Sequence, residues 1–212
     1  KKQVETIEST AKGLSDARVA ANNAIKAAGD LSEDEKNNFL AQVTSAIDPT
    51  AVKVVQDAAA KQNTINQTAR ELKEAKAATI TEVNGFSEIS EAEKNSFALE
   101  VNNASVISDV TTAKAKAKAL SDARVAANNA IKAAGDLSED EKNNFLAQVT
   151  SAIDPTAVKV VQDAAYNTNK EHETVRLLAE SKVATNTIID DLLELSDTEK
   201  ADFKEKIANS TL

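Results

Sequence analysis

The chain has no cysteine, tryptophan or methionine, one histidine, two prolines and four glycines in 212 residues. Absence of cysteine removes disulfides and thiolate metal sites. So few prolines and glycines cannot supply the turns of a β-sandwich or barrel. Aromatic residues make up only 3%, so a core must be assembled from Ala, Val, Leu, Ile and a few Phe. That composition suits thin helical bundles whose backbones approach closely. No apolar run approaches the roughly 18–20 residues of a membrane span. Clustered positive charge is also lacking. The 25 Lys and Arg are scattered among 34 Asp and Glu, for a net charge of −9. A duplex-binding surface needs grouped cations, so neither nucleic acid nor membrane is an expected partner. The chain opens Lys1-Lys2 with no initiator Met or signal peptide, which reads as a piece of something longer.

What is present is repetition. Leu14 to Ala59 recurs unchanged as Leu120 to Ala165, an offset of 106 residues and half of the chain. A weaker repeat lies inside each half: Leu31-Ser-Glu-Asp-Glu-Lys-Asn-Asn-Phe39 returns as Ile89 to Phe97, Leu137 to Phe145 and Leu195 to Phe203. Four of the five Phe occupy this one slot. Four related modules in tandem follow.

The signature has a mechanical sense. Ser32 with Glu35 three residues later forms a capping box at a helix start, repeated as Ser90/Glu93, Ser138/Glu141 and Ser196/Glu199. Acidic Glu33 and Asp34 suit the positive end of the helix dipole. Phe39, Val43 and Ala46 then fall on a core stripe, with Lys36 on the outer face. A first helix carries Leu14, Ala17, Ala21 and Ile25, with Gly29 as its C′ residue. The second runs from about Ser32 to Ile47. Asp48-Pro49 reads as N-cap and N1 of a third, which turns Val52, Val55 and Ala59 inward. Pro155 repeats this start.

Nothing stops the third helix. No Gly or Pro interrupts Thr50–Asn84, Ser108–Ala134 or the stretch from Thr156 into the Ile188 region. The third helix of one module is therefore expected to continue into the first helix of the next; a break at Asn63–Asn66 is the alternative. The expected fold is all-α, with tandem three-helix bundles joined by long continuous helices into a rod. The expected division is a helix tail at 1–13, modules at 14–65, 66–116 and 117–171, and a two-helix remainder at 172–212 with an open apolar face.

Catalytic chemistry has no residues to carry it. His172 lies in a polar helical stretch, with Glu171 and Glu173 on other faces, and reads as a solvated surface side chain. Glu33-Asp34-Glu35 and Asp190-Asp191 lack the spacing and central glycine of a calcium loop. Lys114, Lys116 and Lys118 spread round a helix, and each glycine stands alone, so there is no phosphate loop. Neither an enzyme nor any cofactor or metal is expected. Leu40, Ile47 and Val54, repeated as Leu146, Ile153 and Val160, lie beside the core stripes. They either widen a small core or offer a partner an apolar contact.

The segments Leu14-Ser-Asp-Ala-Arg-Val-Ala-Ala-Asn-Asn-Ala-Ile, Leu31 to Phe39 and Ala46-Ile-Asp-Pro-Thr-Ala-Val52 resemble the protein G-related albumin-binding (GA) module, a three-helix bundle of Gram-positive surface proteins. Tandem copies, alternating with the similar FIVAR module, resemble the giant extracellular-matrix-binding proteins of staphylococci. The resemblance implies a wall-anchored, extracellular adhesin or stalk. It nominates Phe39 to Val55 as the contact for a host protein such as albumin or fibronectin. Two functions stay open: an elongated spacer, and a binding module for a serum or matrix protein.

Overall fold

The computed structural model describes residues 1–211. Its helices are α1 (Lys2–Ala27), α2 (Glu33–Ser45), α3 (Pro49–Asn84), α4 (Glu91–Asn103), α5 (Ile107–Ala133), α6 (Glu139–Ser151), α7 (Pro155–Asp191) and α8 (Asp197–Ala208), and no strand occurs among the described residues. The fold is all-α, as composition and periodicity require.

Local chemistry sets the helix starts. In α2 the Ser32 amide donates to Glu35 Oε2 at 2.8 Å while the Glu35 amide donates to Ser32 Oγ at 3.2 Å. The same reciprocal pair opens α4 through Ser90 and Glu93, α6 through Ser138 and Glu141, and α8 through Ser196 and Glu199. Each box satisfies two amides that a helix start leaves without an intrahelical acceptor. It also holds the Glu35, Glu141 and Glu199 carboxyls below the usual carboxylate range. Asp48 and Asp154 cap α3 and α7, each accepting an amide hydrogen three residues on at 2.8 Å, and proline follows at the position that needs no donor.

Three local expectations need correction. The second helix ends at Ser45, not Ile47; the Ala46 carbonyl is drawn to the Arg18 guanidinium at 2.7 Å, and the chain leaves in extended conformation. Gly29 does not act as a left-handed cap: α1 exits through Ala28 at φ −66°, ψ 109°, and no described glycine has positive φ. Lys36 is not an outward side chain. It is 17% exposed and folds back on Glu33 at 3.1 Å, because a long aliphatic stem covers apolar surface while its ammonium stays at the rim. Lys94 and Lys142 do the same.

The long helices are unbroken. α3, α5 and α7 have 36, 27 and 37 residues, or about 54, 40 and 56 Å. The stretch Asn63–Asn66 is helical.

Two compact units are distinguished. In the first, residues 1–82 and 98–112, the core of α1, α2 and the start of α3 is Ala21, Ile25, Leu31, Val43, Val52 and Ala59, with Phe39 and Leu40 packed against it. In the second, residues 83–97 and 113 onward, the matching residues Ala127, Ile131, Leu137, Val149, Val158 and Ala165 join Leu120 and Ile89 in one cluster, flanked by Phe97 and Phe145. That core runs on from one repeat into its predecessor. Accordingly Leu120 is buried where its identical counterpart Leu14 is only partly covered. Helix α8 packs on α7 without a fully buried residue, and Phe203 is 42% exposed.

The junction inside the second unit centres on Arg124, which is 2% exposed. Its guanidinium donates to Glu93 Oε1 at 2.6 Å and Oε2 at 2.9 Å, to the Glu88 carbonyl at 2.8 Å, and to the Thr150 and Ala152 carbonyls at 3.0 and 2.9 Å. One planar fork thus ties the start of α4 and the end of α6 to the middle of α5. Fixed geometry and full-time charge make this arginine chemistry that lysine cannot copy.

Two outcomes follow. The Arg124 hydrogen bonds, aided by Ser90, hold the Glu93 carboxyl at about 2 against an ordinary value of 4.5. A depressed folded value stabilises the fold above the ordinary value, and that contribution is lost as pH falls from about 4.5 towards 2. Urea midpoints should therefore drop more steeply over that window in the wild type than in Glu93→Gln. Gly13 lies inside α1, its duplicate is Ala119, and a Cβ there would sit 4.0 Å from Pro49 Cγ, an ordinary contact. Gly13→Ala should stabilise by roughly 0.5–1 kcal/mol in the same assay.

Candidate partner-binding surface

The α2–α3 connection is short and fixed at both ends. Upstream, Arg18 donates to the Thr44 and Ala46 carbonyls at 2.8 and 2.7 Å. Downstream, Asp48 receives the Ala51 amide at 2.8 Å. Between these two anchors stands Ile47, which is 84% exposed. A hydrophobic residue just before an N-cap commonly folds onto the fourth residue of the helix; here that residue, Val52, is buried in the core and Ile47 stays in solvent. Ile153, 81% exposed, repeats the arrangement between Arg124 and Asp154. Loop rigidity matters because a contact whose backbone is already ordered loses less entropy on binding.

The six apolar candidates divide. Leu40 and Leu146 are partly buried and pack against their cores. Ile47, Val54, Ile153 and Val160 are exposed, the two valines at 64% and 65%. Leu40 and Leu146 therefore join the bundle interiors, and the isoleucines and valines remain on the surface.

A second set of residues holds successive repeats together. In the first unit, Asn63 Oδ1 accepts the Asp30 amide at 2.9 Å, Asn66 Nδ2 donates to the Asp30 carbonyl and to Glu35 Oε2, both at 2.9 Å, and Arg70 Nε reaches Asp30 Oδ1 at 2.6 Å. The middle of α3 is thereby fastened to the α1–α2 turn. In the second unit Asn169, His172 and Arg176 on α7 hold Asp136 in the same way. Pairing with Arg176 keeps the Asp136 carboxyl below its usual range, and Asp136 raises the Arg176 guanidinium further. Lys76 and Lys182 donate to the last carbonyls of α4 and α8, Asn102 and Ala208, both at 2.8 Å.

His172 is consequently not a free surface side chain. It is 42% exposed, with Nδ1 3.0 Å from the Asp136 carbonyl and Nε2 3.6 Å from Glu141 Oε1. Sequence periodicity missed this network because its partners lie 26 to 40 residues apart. A signal existed: Asn63/Asn169, Arg70/Arg176 and Lys76/Lys182 recur at the 106-residue offset outside the unchanged stretch.

Among the described residues, no cluster of His, Asp and Glu could hold a metal ion, and no helix is long and apolar enough to cross a membrane. Asp190 instead binds Lys204 through its carboxylate, and Lys118 pairs with Asp122 at 2.7 Å.

Comparison with known proteins agrees with this architecture. No curated protein matches. Among solved structures, an EbhA domain from Staphylococcus aureus is similar in fold, with a TM-score of 0.50 at 18% identity over 94% of each chain. The family model of the GA module matches four times, over residues 11–65, 69–123, 119–171 and 176–212. The boundaries between consecutive matches all fall inside α3, α5 and α7, as helix sharing requires, and the chain belongs to the GA-module family, as four copies in tandem.

Proposed function

We propose that this chain is a repeat region of a Gram-positive, most specifically staphylococcal, surface protein, and that it serves as an elongated helical spacer outside the cell. One observation carries the reading: α3, α5 and α7 pass from one GA module to the next without a break in helix. A coil linker would let neighbouring bundles reorient freely, whereas a shared helix transmits orientation. The Asp30–Arg70 and Asp136–Arg176 pairs add side-chain ties at two of the crossings. The proposed division, a tail at 1–13 and modules at 14–65, 66–116, 117–171 and 172–212, places each crossing inside a helix. The surface location draws on the GA family and on the fold likeness to the EbhA domain. Attachment to the cell wall belongs to the same proposal, and no catalytic role is part of it. Small-angle scattering should give an extended particle whose maximum dimension exceeds that of any single helix; a compact globule overturns the spacer.

A second reading has its own observation. Ile47 and Ile153 are apolar, almost fully exposed and held on short loops pinned by arginine and aspartate. With Val54 and Val160 they would contact a host serum or matrix protein such as albumin or fibronectin. Repetition along one chain would raise avidity even for weak single contacts. Calorimetric titration with each protein should give heat that Ile47→Asp combined with Ile153→Asp abolishes. No heat at high micromolar concentration removes the binding reading and leaves the spacer intact.

A further inference from the structure

The duplicated halves use different residues at one junction position. In the first, Asn66 bridges the Asp30 carbonyl and Glu35 Oε2 with the two hydrogens of its amide nitrogen, each at 2.9 Å. Neither bond depends on the charge of its donor, because an amide does not titrate, and the Glu35 carboxyl lies below its usual range. Its counterpart at the 106-residue offset is His172, facing the corresponding Asp136 carbonyl at 3.0 Å and Glu141 Oε1 at 3.6 Å.

We propose that His172 makes the crossing between the third and fourth modules responsive to pH, its protonated ring fastening α7 to the start of α6. A carbonyl only accepts, so the contact with Asp136 places a hydrogen on Nδ1. In the neutral ring Nε2 is then a lone pair turned towards a carboxylate. In the cation Nε2 carries a hydrogen and can close on Glu141, which reproduces the double bridge of Asn66.

The surroundings favour this response. On α7 the neighbouring charges are Lys170, Glu171, Glu173 and Arg176. Lys170 is engaged by Glu173 at 2.6 Å, and Arg176 by Asp136 and Glu180. The α5–α6 turn contributes Asp136, and α6 contributes Glu141. The Ser138 amide and hydroxyl hold the Glu141 carboxyl below its usual range, so it stays an anion across the interval in which an imidazole changes charge. The junction gains a bond as pH falls through that interval and loses it as pH rises.

His172 is the chain's single histidine, so its ring resonances are unambiguous. In NMR of the full chain between pH 8 and 5.5, the Asp136 and Glu141 amides should move along the same curve as the ring. His172→Asn, which installs the residue of the first junction, should keep the fold and lose that curve. Amide exchange across residues 169–176, corrected for intrinsic rate, should slow roughly two- to five-fold more on acidification in the wild type than in the variant. A ring that titrates while Asp136 and Glu141 stay still overturns the proposal, as does an unchanged pH response in His172→Asn. Glu141→Gln keeps the amide-capping geometry and should flatten the response. Scattering decides the spacer reading, so the two ideas can fail independently.

Discussion

Each long helix has to satisfy two bundles at once. Its first half completes one module and its second half opens the next, so the phase of its apolar stripe must stay consistent over its whole length. Glycine or proline at a crossing would disturb that phase, and α3 and α7 contain none between their second and last residues. The bundle cores are built mainly from Ala, Val and Ile. Small side chains bury little apolar area each, so a lone module has a thin core. Where a core continues past its own repeat, as Ile89 and Leu120 do beside Ile131 and Leu137, sharing enlarges the buried surface without enlarging any residue.

Arg18 and Arg124 show what the preceding repeat contributes. They occupy identical surroundings in sequence and make the same two bonds to the end of the following short helix. Only Arg124 also receives a carboxylate and a carbonyl from the repeat before it. The result is a nearly inaccessible guanidinium with an acid strongly shifted by it. A buried ion pair is not in itself strong support for stability, since desolvation opposes the attraction. Its value here is geometric. Losing Glu93 would leave a nearly inaccessible guanidinium without its carboxylate, so Arg124 with its acceptors favours one relation between α4, α5 and α6.

Much of the fold was legible because it depends on short-range chemistry. Ser followed by Glu three residues later, Asp before Pro, and apolar spacing of three and four each specify a helix start or face without distant information. Helix continuity was legible for the same reason, as an absence of breakers. The loop residue Ile47 was placed inside a helix because nothing in its own neighbourhood reveals that Arg18, 28 residues before Ala46, captures the Ala46 carbonyl. Lys36 was placed outside because periodicity assigns whole side chains to faces, whereas a lysine stem and its ammonium can lie in different environments. For His172 the reading considered only helical neighbours, and the partners that matter come from a turn and a helix more than 30 residues earlier. The candidate surface was legible in part: exposure of Ile47 and Val54 separates them from Leu40, and only packing decides that.

The distribution of change between the two halves follows from helix sharing. Identity ends at Ala59 and Ala165; at the next position the first half has Ala60 and the second Tyr166. Each end lies in the interior of a long helix, α3 or α7, before the residues that fasten the crossing. A long helix can thus keep its first half for one bundle and alter its second half for another, provided helix phase and the acceptors at Asp30 or Asp136 are retained. Asn63 and Arg70 persist as Asn169 and Arg176, while Asn66 becomes His172. The outer two residues fix the geometry of the crossing by hydrogen bond and charge, which leaves the middle position free to change its chemistry.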